Sequence, residues 1–427
     1  MSQKSIMTLF AAENQASADS GPAENIIELE VYDSFDLLES MQPQWDRFIE
    51  SVDCEIFLTF DWCRIWWEYY GANRDLKVFV FRCRENLVGI IPMFFERIWL
   101  APVFVRAGKI VGTDFTISTV TLPIRKEFLR QVVQKFLFKL VTDYQWDVLH
   151  IGPVSGIFRD FDELFSSCRD CIDRGCRLRN SCNSVQTYFP LTDSWEAQLA
   201  HLSKNGRKNI IRNYNALNRT LRNDQGNLVS RFATSEDFDE MFTDFIRMHQ
   251  LHWQRLGKGG HFEDWPAAVE FHREVAAAQL RRGRLRLMQS SMGGYCLGYE
   301  YAYKFAGKYF AFLNSHLESQ ELGNVALGHI LFSEQVKKAL AERVRYIDSM
   351  RGKYEHKLRL GGKLFTIRNI YVYRGKISVL IRIYIFRFFC QLLDICYYKI
   401  WFRRLAPLLP FKHRPLWKSW IRTQMFS

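Results

Sequence analysis

An α/β fold is expected: two consecutive units, each a mixed central sheet flanked by helices, followed by a helical tail rich in aromatic and basic residues. Three observations predict it. The chain has 427 residues and 48% hydrophobic content, enough for two sizeable cores of an ordinary globular protein. Short β-branched and aromatic runs alternate with amphipathic helical stretches, and the same order of elements recurs after Thr192 without repeating the residues. From Lys376 onward the composition becomes apolar and aromatic, with regular basic interruptions. The expected divisions are a disordered lead-in at 1–25, units at 26–191 and 192–375, and the tail at 376–427.

In the first unit, 26–31 reads as a strand, and 34–51 as a helix with Phe35, Leu38, Trp45 and Phe48 at helical spacing. The run 57–70 carries Trp62, Trp66 and Trp67 on one short helix. Core packing is the expected role of this stripe, and a sugar-stacking platform is the alternative. A hairpin, 76–83 with 87–97, follows across Arg84-Glu85-Asn86. Strands at 103–111, 116–122 and 146–151 surround a helix at 126–144, and a last helix and strand end near Leu191. In the second unit a helix starting at Trp195 continues into the basic stretch 203–215, whose alternative reading is a solvated face. A strand at 229–233 and a long helix at 238–256 come next, then a hairpin, 285–289 with 296–304, turning at Gly293-Gly294. The loop Gly257-Lys258-Gly259-Gly260 has the composition of a cover that closes over substrate.

Charge and cysteine usage narrow the partners. Lys and Arg exceed Asp and Glu to give a net charge of +12, which favours a phosphorylated cofactor, nucleic acid or anionic lipid. The first 25 residues have no basic start, long apolar centre or small-residue cleavage site, so a cytosolic lead-in is expected. Ten cysteines suit reduced thiols. Cys168, Cys171, Cys176 and Cys182 cluster, but their spacing lacks the paired knuckles of a zinc site, so buried thiols and no metal are expected.

The stretch from Lys308 to Arg359 concentrates the chemistry. An aromatic strand, 308–313, meets a polar loop, and Gly323-Asn324-Val325-Ala326-Leu327-Gly328-His329 opens an amphipathic helix that runs to Arg343. Unpaired N–H groups at such a glycine-rich helix start suit a phosphate or pyrophosphate. A strand at 344–348 then leads into the charged sequence 351–359.

The window Gln320-Glu321-Leu322-Gly323-Asn324-Val325 resembles the Gln/Arg-x-x-Gly-x-Gly/Ala loop of the GNAT acyltransferase superfamily, with Val325 at the last position. Asp348 followed by Gly352-Lys353-Tyr354-Glu355-His356-Lys357 is similar to the BioF2-like (CelD-type) acetyltransferases of bacterial polysaccharide clusters, with His356 in place of a Tyr. The resemblance implies two tandem GNAT-like domains and acetyl-CoA or another acyl-CoA as donor. It further implies a cofactor site at Leu313, Asn314, Gln320, Gly323, Asn324, Ala326, Leu327, Gly328 and His329.

Acyl transfer to an amine needs groups that move protons, and Glu300, His316, Asp348, Glu355 and His356 lie near one expected sheet end. His356, Glu300 and Asp348 are the catalytic candidates, although Glu300 has the alternative of an ion pair with Lys304 or Arg286. Arg351, Tyr354 and Lys357 are the substrate-binding candidates. The implied function is N-acylation of an amino sugar or related amine in surface polysaccharide synthesis, in the cytoplasm, with no DNA partner. Alternatives are a Fem-type transferase using aminoacyl-tRNA on a cell-wall precursor, and an inactive scaffold recruited to the membrane. The tail from Ile377 to Phe402 is too often interrupted by charge for a membrane span. It reads either as an interfacial helix on anionic lipid, at the inner face of the membrane, or as a helix packed on the domain.

Overall fold

The computed structural model describes residues 26–114, 119–170, 172–221, 227–255, 260–263, 265–317, 322, 325–353 and 355–409, the side chains of Asp173, Asn183, Glu355 and His356 excepted. The lead-in at 1–25, the loop 257–259, Cys171 and the end of the tail therefore lie outside the described residues.

Two similar strand series face each other within one sheet. The first unit supplies β1 (Ile27–Tyr32), β2 (Asp75–Cys83), β3 (Asn86–Leu100), β4 (Val103–Ile110) and β5 (Val148–Val154). The second supplies β7 (Val229–Phe232), β8 (Leu285–Met292), β9 (Tyr295–Phe305), β10 (Lys308–His316) and β11 (Tyr346–Arg351). In each series the first four strands are antiparallel neighbours and the fifth runs parallel to the fourth. Two long strands, β6 (Cys176–Pro190) and β12 (Lys363–Arg374), join the series, giving the order β1-β2-β3-β4-β5-β12-β6-β11-β10-β9-β8-β7. The sixth strand of each series has thus changed places: β12 pairs with β5 of the first unit, and β6 with β11 of the second. The two expected sheets are consequently one.

Helices cover this sheet: α1 (Gln42–Ser51), α2 (Phe60–Tyr70), α3 (Leu129–Asp143) and α4 (Phe161–Arg169) in the first half. The second half has α5 (Trp195–Ala200), α6 (Lys204–Thr220), α7 (Phe238–Arg255), α8 (Ala268–Arg281), α9 (Leu327–Ala341) and the short α10 (Glu355–Arg359). The tryptophans of α2 are core residues: Trp62 and Trp66 are fully buried, and Trp62 lies against Phe57 of its own half and Phe271, Tyr303 and Phe312 of the other. Ion pairs reinforce this seam. Arg284 meets Asp46 at 2.7 Å while the other Asp46 oxygen accepts from Phe60 N, and Arg282 meets Asp61 at 3.2 Å.

Several boundaries differ from the sequence reading, each for a local reason. Residues 119–122 form no strand. The helix expected from Trp195 onward is two helices, because Ser194 and Ser203 each turn a hydroxyl back onto an N–H, of Ala197 and Gly206, and start separate caps. Lys204, Arg207, Lys208 and Arg212 on α6 are exposed, a solvated basic face. The hairpin at Gly293-Gly294 forms as expected, both glycines with positive φ. The tail is α11 (Ile377–Leu393) followed by a π-helical segment, Asp394–Leu405; one face, through Val379, Ile383, Phe386 and Cys390, is buried against Ile98, Val105, Tyr371 and Tyr373.

Candidate active site

The site is built where β10 and β11 part. They pair only from Lys308–Phe310 with Tyr346–Asp348; beyond that level each strand has an irregularity, between Ala311 and Leu313 on β10 and between Asp348 and Arg351 on β11. Met350 carries φ of +60°, a conformation costly for a non-glycine residue, and its N–H is turned back at 2.8 Å onto Asp348 Oδ1. Gly352, with φ of +131°, then lets the chain donate to Val185 O and accept from Thr187 Oγ1 on β6. The parted strands leave the edge of β10 beyond Phe310 open towards β11.

Three ionisable side chains converge at this opening. Asp348 is fully buried and accepts from Gln186 Nε2 at 2.7 Å; Ser155 Oγ donates to Gln186 Oε1 at 3.0 Å, so the amide is oriented from both sides. Burial pushes Asp348 up to about 7, against the pull of the Met350 and Gln186 donors. Glu300 lies on β9 opposite Asn314, and burial pushes it up to about 8 against Lys357 and the Asn314 side chain. Its Oε1 has no hydrogen-bond partner among the described residues. Lys357, from α10, donates to Ser349 O at 2.7 Å; burial lowers its amine to about 8 despite the fields of Asp348 and Glu300. Burial thus moves all three groups towards neutral pH, the range that suits proton transfer.

The same level of the first unit is filled differently. There Lys109, opposite His150, meets Glu96 and Asp114 at 2.7 Å each, and Arg74 meets Asp114 at 2.6 Å. Those charges neutralise one another in a closed group. His150 is held neutral by burial, which lowers it to about 4.

Beside the second-unit opening, α9 begins at Leu327 with Gly328 in its first turn. Among the described residues, a Cβ placed on Gly328 would meet only His316 Cδ2, at 4.0 Å, so none of them crowds the backbone at this helix end. On the other side His249 donates from Nδ1 to Asn314 O at 2.8 Å, which leaves Nε2 to accept from His261 Nδ1 at 3.0 Å. Burial lowers His249 to about 4, so this relay is neutral and positions Asn314.

Residues 204–358, which contain every group of this opening except those borrowed from β6 and the first unit, match the family described as "Acetyltransferase (GNAT) domain". The match lies within the second unit. The match supports an acyltransferase. The chain is similar in fold to the crystal structure of FemX, with a TM-score of 0.56 and 10% identity, covering 80% of this chain and 98% of that one. It is similar also to a conserved protein of unknown function from Bacteroides thetaiotaomicron, with a TM-score of 0.50 and 9% identity, covering 81% and 100%. No curated protein matches the sequence.

Within residues 204–358 the structure brings together Glu300, Asp348, Lys357, Leu313 and Asn314, with Ala326, Leu327, Gly328 and His329 at the α9 terminus. Gln320, Gly323, Asn324 and Tyr354, and the His356 side chain, lie outside the described residues. The helix starts at Leu327, not at Gly323. Arg351 ends β11 and donates to Ser184 Oγ at 2.6 Å. The alternative partners of Glu300 are engaged elsewhere: Arg286 and Lys304 both pair with Glu342. Gln186 and His249 were missed by the sequence reading, because nothing in strand or helix periodicity singles out a buried amide or imidazole.

The raised carboxyls have a thermodynamic signature. Between about pH 4.5 and 8 folded Glu300 keeps a proton that the unfolded chain releases, so its contribution to stability is lost as pH rises through that window. The limiting slope is about 1.4 kcal/mol per pH unit for one group. Glu300→Gln is expected to flatten this dependence and to gain on wild type progressively towards pH 8. Urea unfolding at several pH values measures it; parallel curves for the two proteins would refute it.

Proposed function

We propose that the protein transfers an acyl group, acetyl in the first instance, from coenzyme A to the amine of an amino sugar or related precursor of a surface polysaccharide. The observation that carries this reading is the buried trio Glu300, Asp348 and Lys357 at the strand opening beside the α9 terminus. The amine nitrogen attacks the thioester carbonyl carbon and gives its proton to the Asp348 carboxylate. Glu300, kept protonated by its surroundings, offers an O–H to the developing oxyanion. The C–S bond then breaks, and the leaving thiolate takes a proton from the Lys357 ammonium, which Asp348 restores. His356 is a second proton carrier on the same short helix. Arg351 and Tyr354 orient the acceptor, while Leu313, Asn314, Gln320 and the 323–329 stretch hold the donor. The sugar acceptor rests on the likeness of Asp348 and Gly352–Lys357 to CelD-type sequences, and peripheral contact with the inner face of the membrane fits an acceptor carried on lipid.

Calorimetric titration with acetyl-CoA is the direct test: saturable binding is expected, and none at millimolar ligand with folded protein would remove the donor assignment. Gly328→Trp should weaken that binding at least tenfold without loss of fold, because space in front of the helix would be filled. Unchanged affinity would place the pyrophosphate elsewhere.

A second reading is favoured by the fold likeness to FemX together with the exposed basic face of α6: transfer of an amino acid from tRNA to a cell-wall precursor. Salt-dependent tRNA binding, with no calorimetric response to acetyl-CoA, would put it first.

A further inference from the structure

The helix α11 has two apolar faces, and among the described residues only one is packed. Opposite the face packed on β3, β4 and β12, the side chains of Ile377, Ile381, Tyr384, Phe388 and Leu392, and of Ile395 just beyond the helix, recur at intervals of three and four residues. They form a stripe open to solvent: Ile377 is 73% exposed, Tyr384 75% and Phe388 56%. An apolar stripe of this length on a surface otherwise carrying charge marks a contact face. A second element lies at its flank. Trp99, 58% exposed at the tip of the β3–β4 hairpin, has its ring 4.8 Å from Phe104, and Phe104 lies under the Arg382 guanidinium of α11 at 5.3 Å. Arg382 is itself tied to Asp147, which fixes helix and hairpin to one body.

The charges around the stripe choose its occupant. Lys376, Lys399, Arg403 and Arg404 are exposed along the tail, and Asp394 is paired with Lys399 at 2.7 Å. A second copy packed about a two-fold axis would bring these cations against their own equivalents. A leaflet of anionic lipid would meet them with opposite charge while its acyl boundary receives the apolar stripe and the indole. No helix among the described residues is long and apolar enough to cross a membrane. We propose that α11, with the Trp99 hairpin tip, is a docking face that lays this enzyme on the surface of an anionic bilayer. The face is independent of the acyl-transfer chemistry and stands or falls separately from it.

Flotation of the full-length protein with vesicles of phosphatidylglycerol and phosphatidylcholine tests it, with phosphatidylcholine alone as the second arm. Co-flotation with the anionic vesicles is expected, falling at least several-fold with the neutral ones. Ile381→Glu with Phe388→Glu should lower the anionic partition about tenfold or more, and Trp99→Ala by a smaller factor. Leu37→Glu, an equally exposed apolar residue in the first unit, should leave it unchanged. Circular dichroism of each variant establishes that it is folded, as surface substitutions should be. Equal flotation of the double variant and wild type would overturn the proposal. So would a wild type that ignores anionic vesicles and sediments as a dimer which the double variant converts to a monomer, since the stripe would then belong to a second copy.

Discussion

Asp348→Asn is expected to lower kcat by about 10²–10⁴-fold, with the affinity for acetyl-CoA nearly unchanged. The substitution keeps the size and shape of the side chain, and Asn Oδ1 can still accept from Met350 N. The amide nitrogen would face the Gln186 Nε2 donor, but Gln186 can turn its amide over, and the Ser155 hydroxyl, free to rotate, can follow. The fold is therefore retained while the proton acceptor is lost. The pH profile supplies a readout that a structural defect would not move. Wild type should lose activity below about pH 7, where Asp348 takes up its proton, and again above about pH 8, where Lys357 gives one up and Glu300 loses the proton it offers the oxyanion. In the variant the acid limb should disappear. Release of free thiol from acetyl-CoA in the presence of an amino-sugar acceptor measures both. A variant with reduced rate and an unaltered acid limb would remove Asp348 from the proton path.

The largest effect on stability is expected at the seam. Trp62→Ala should cost about 3–5 kcal/mol, the range for deleting a buried aromatic. The indole is fully buried with ring centroids of Phe57 at 4.9 Å and Tyr303 at 5.3 Å, and its neighbours belong to both units. Those rings stand on strands and helices that the sheet holds in place, so the cavity cannot easily collapse. Because Trp62 couples the halves, its loss should also make unfolding less cooperative, with fluorescence and circular dichroism transitions separating in urea. A single coincident transition displaced by less than about 1 kcal/mol would show that the seam is held by its ion pairs instead.

Much of this architecture is legible in the sequence where pattern is local. The hairpins at Arg84-Glu85-Asn86 and Gly293-Gly294, the Trp62 helix and the strand carrying Asp348 follow from periodicity and turn chemistry. What is not legible is long-range or irregular. The positive φ of Met350 that opens the strands leaves no mark in a Met codon position, and the exchange of β6 and β12 depends on pairings between residues far apart. Asp348 and Glu300 could be picked out as carboxylates near one sheet end, but not their burial, which is what shifts them. Lys357, read from the sequence as a substrate contact, has its amine lowered only by the packing that desolvates it.

The exchanged strand sets a timetable for biosynthesis. β5 is complete at Val154, yet the strand that pairs along it starts at Lys363, after the strands β6 to β11 have been made. At about 5–20 residues per second, those roughly 200 residues take about 10–40 s, during which the nascent first half presents an unfilled strand edge. An open edge of apolar strands is a template for pairing with another chain. On polysomes, where copies of this half emerge close together, the protein should depend on chaperones for that interval, and ribosome pausing between 155 and 362 should lower its yield more than pausing after 374.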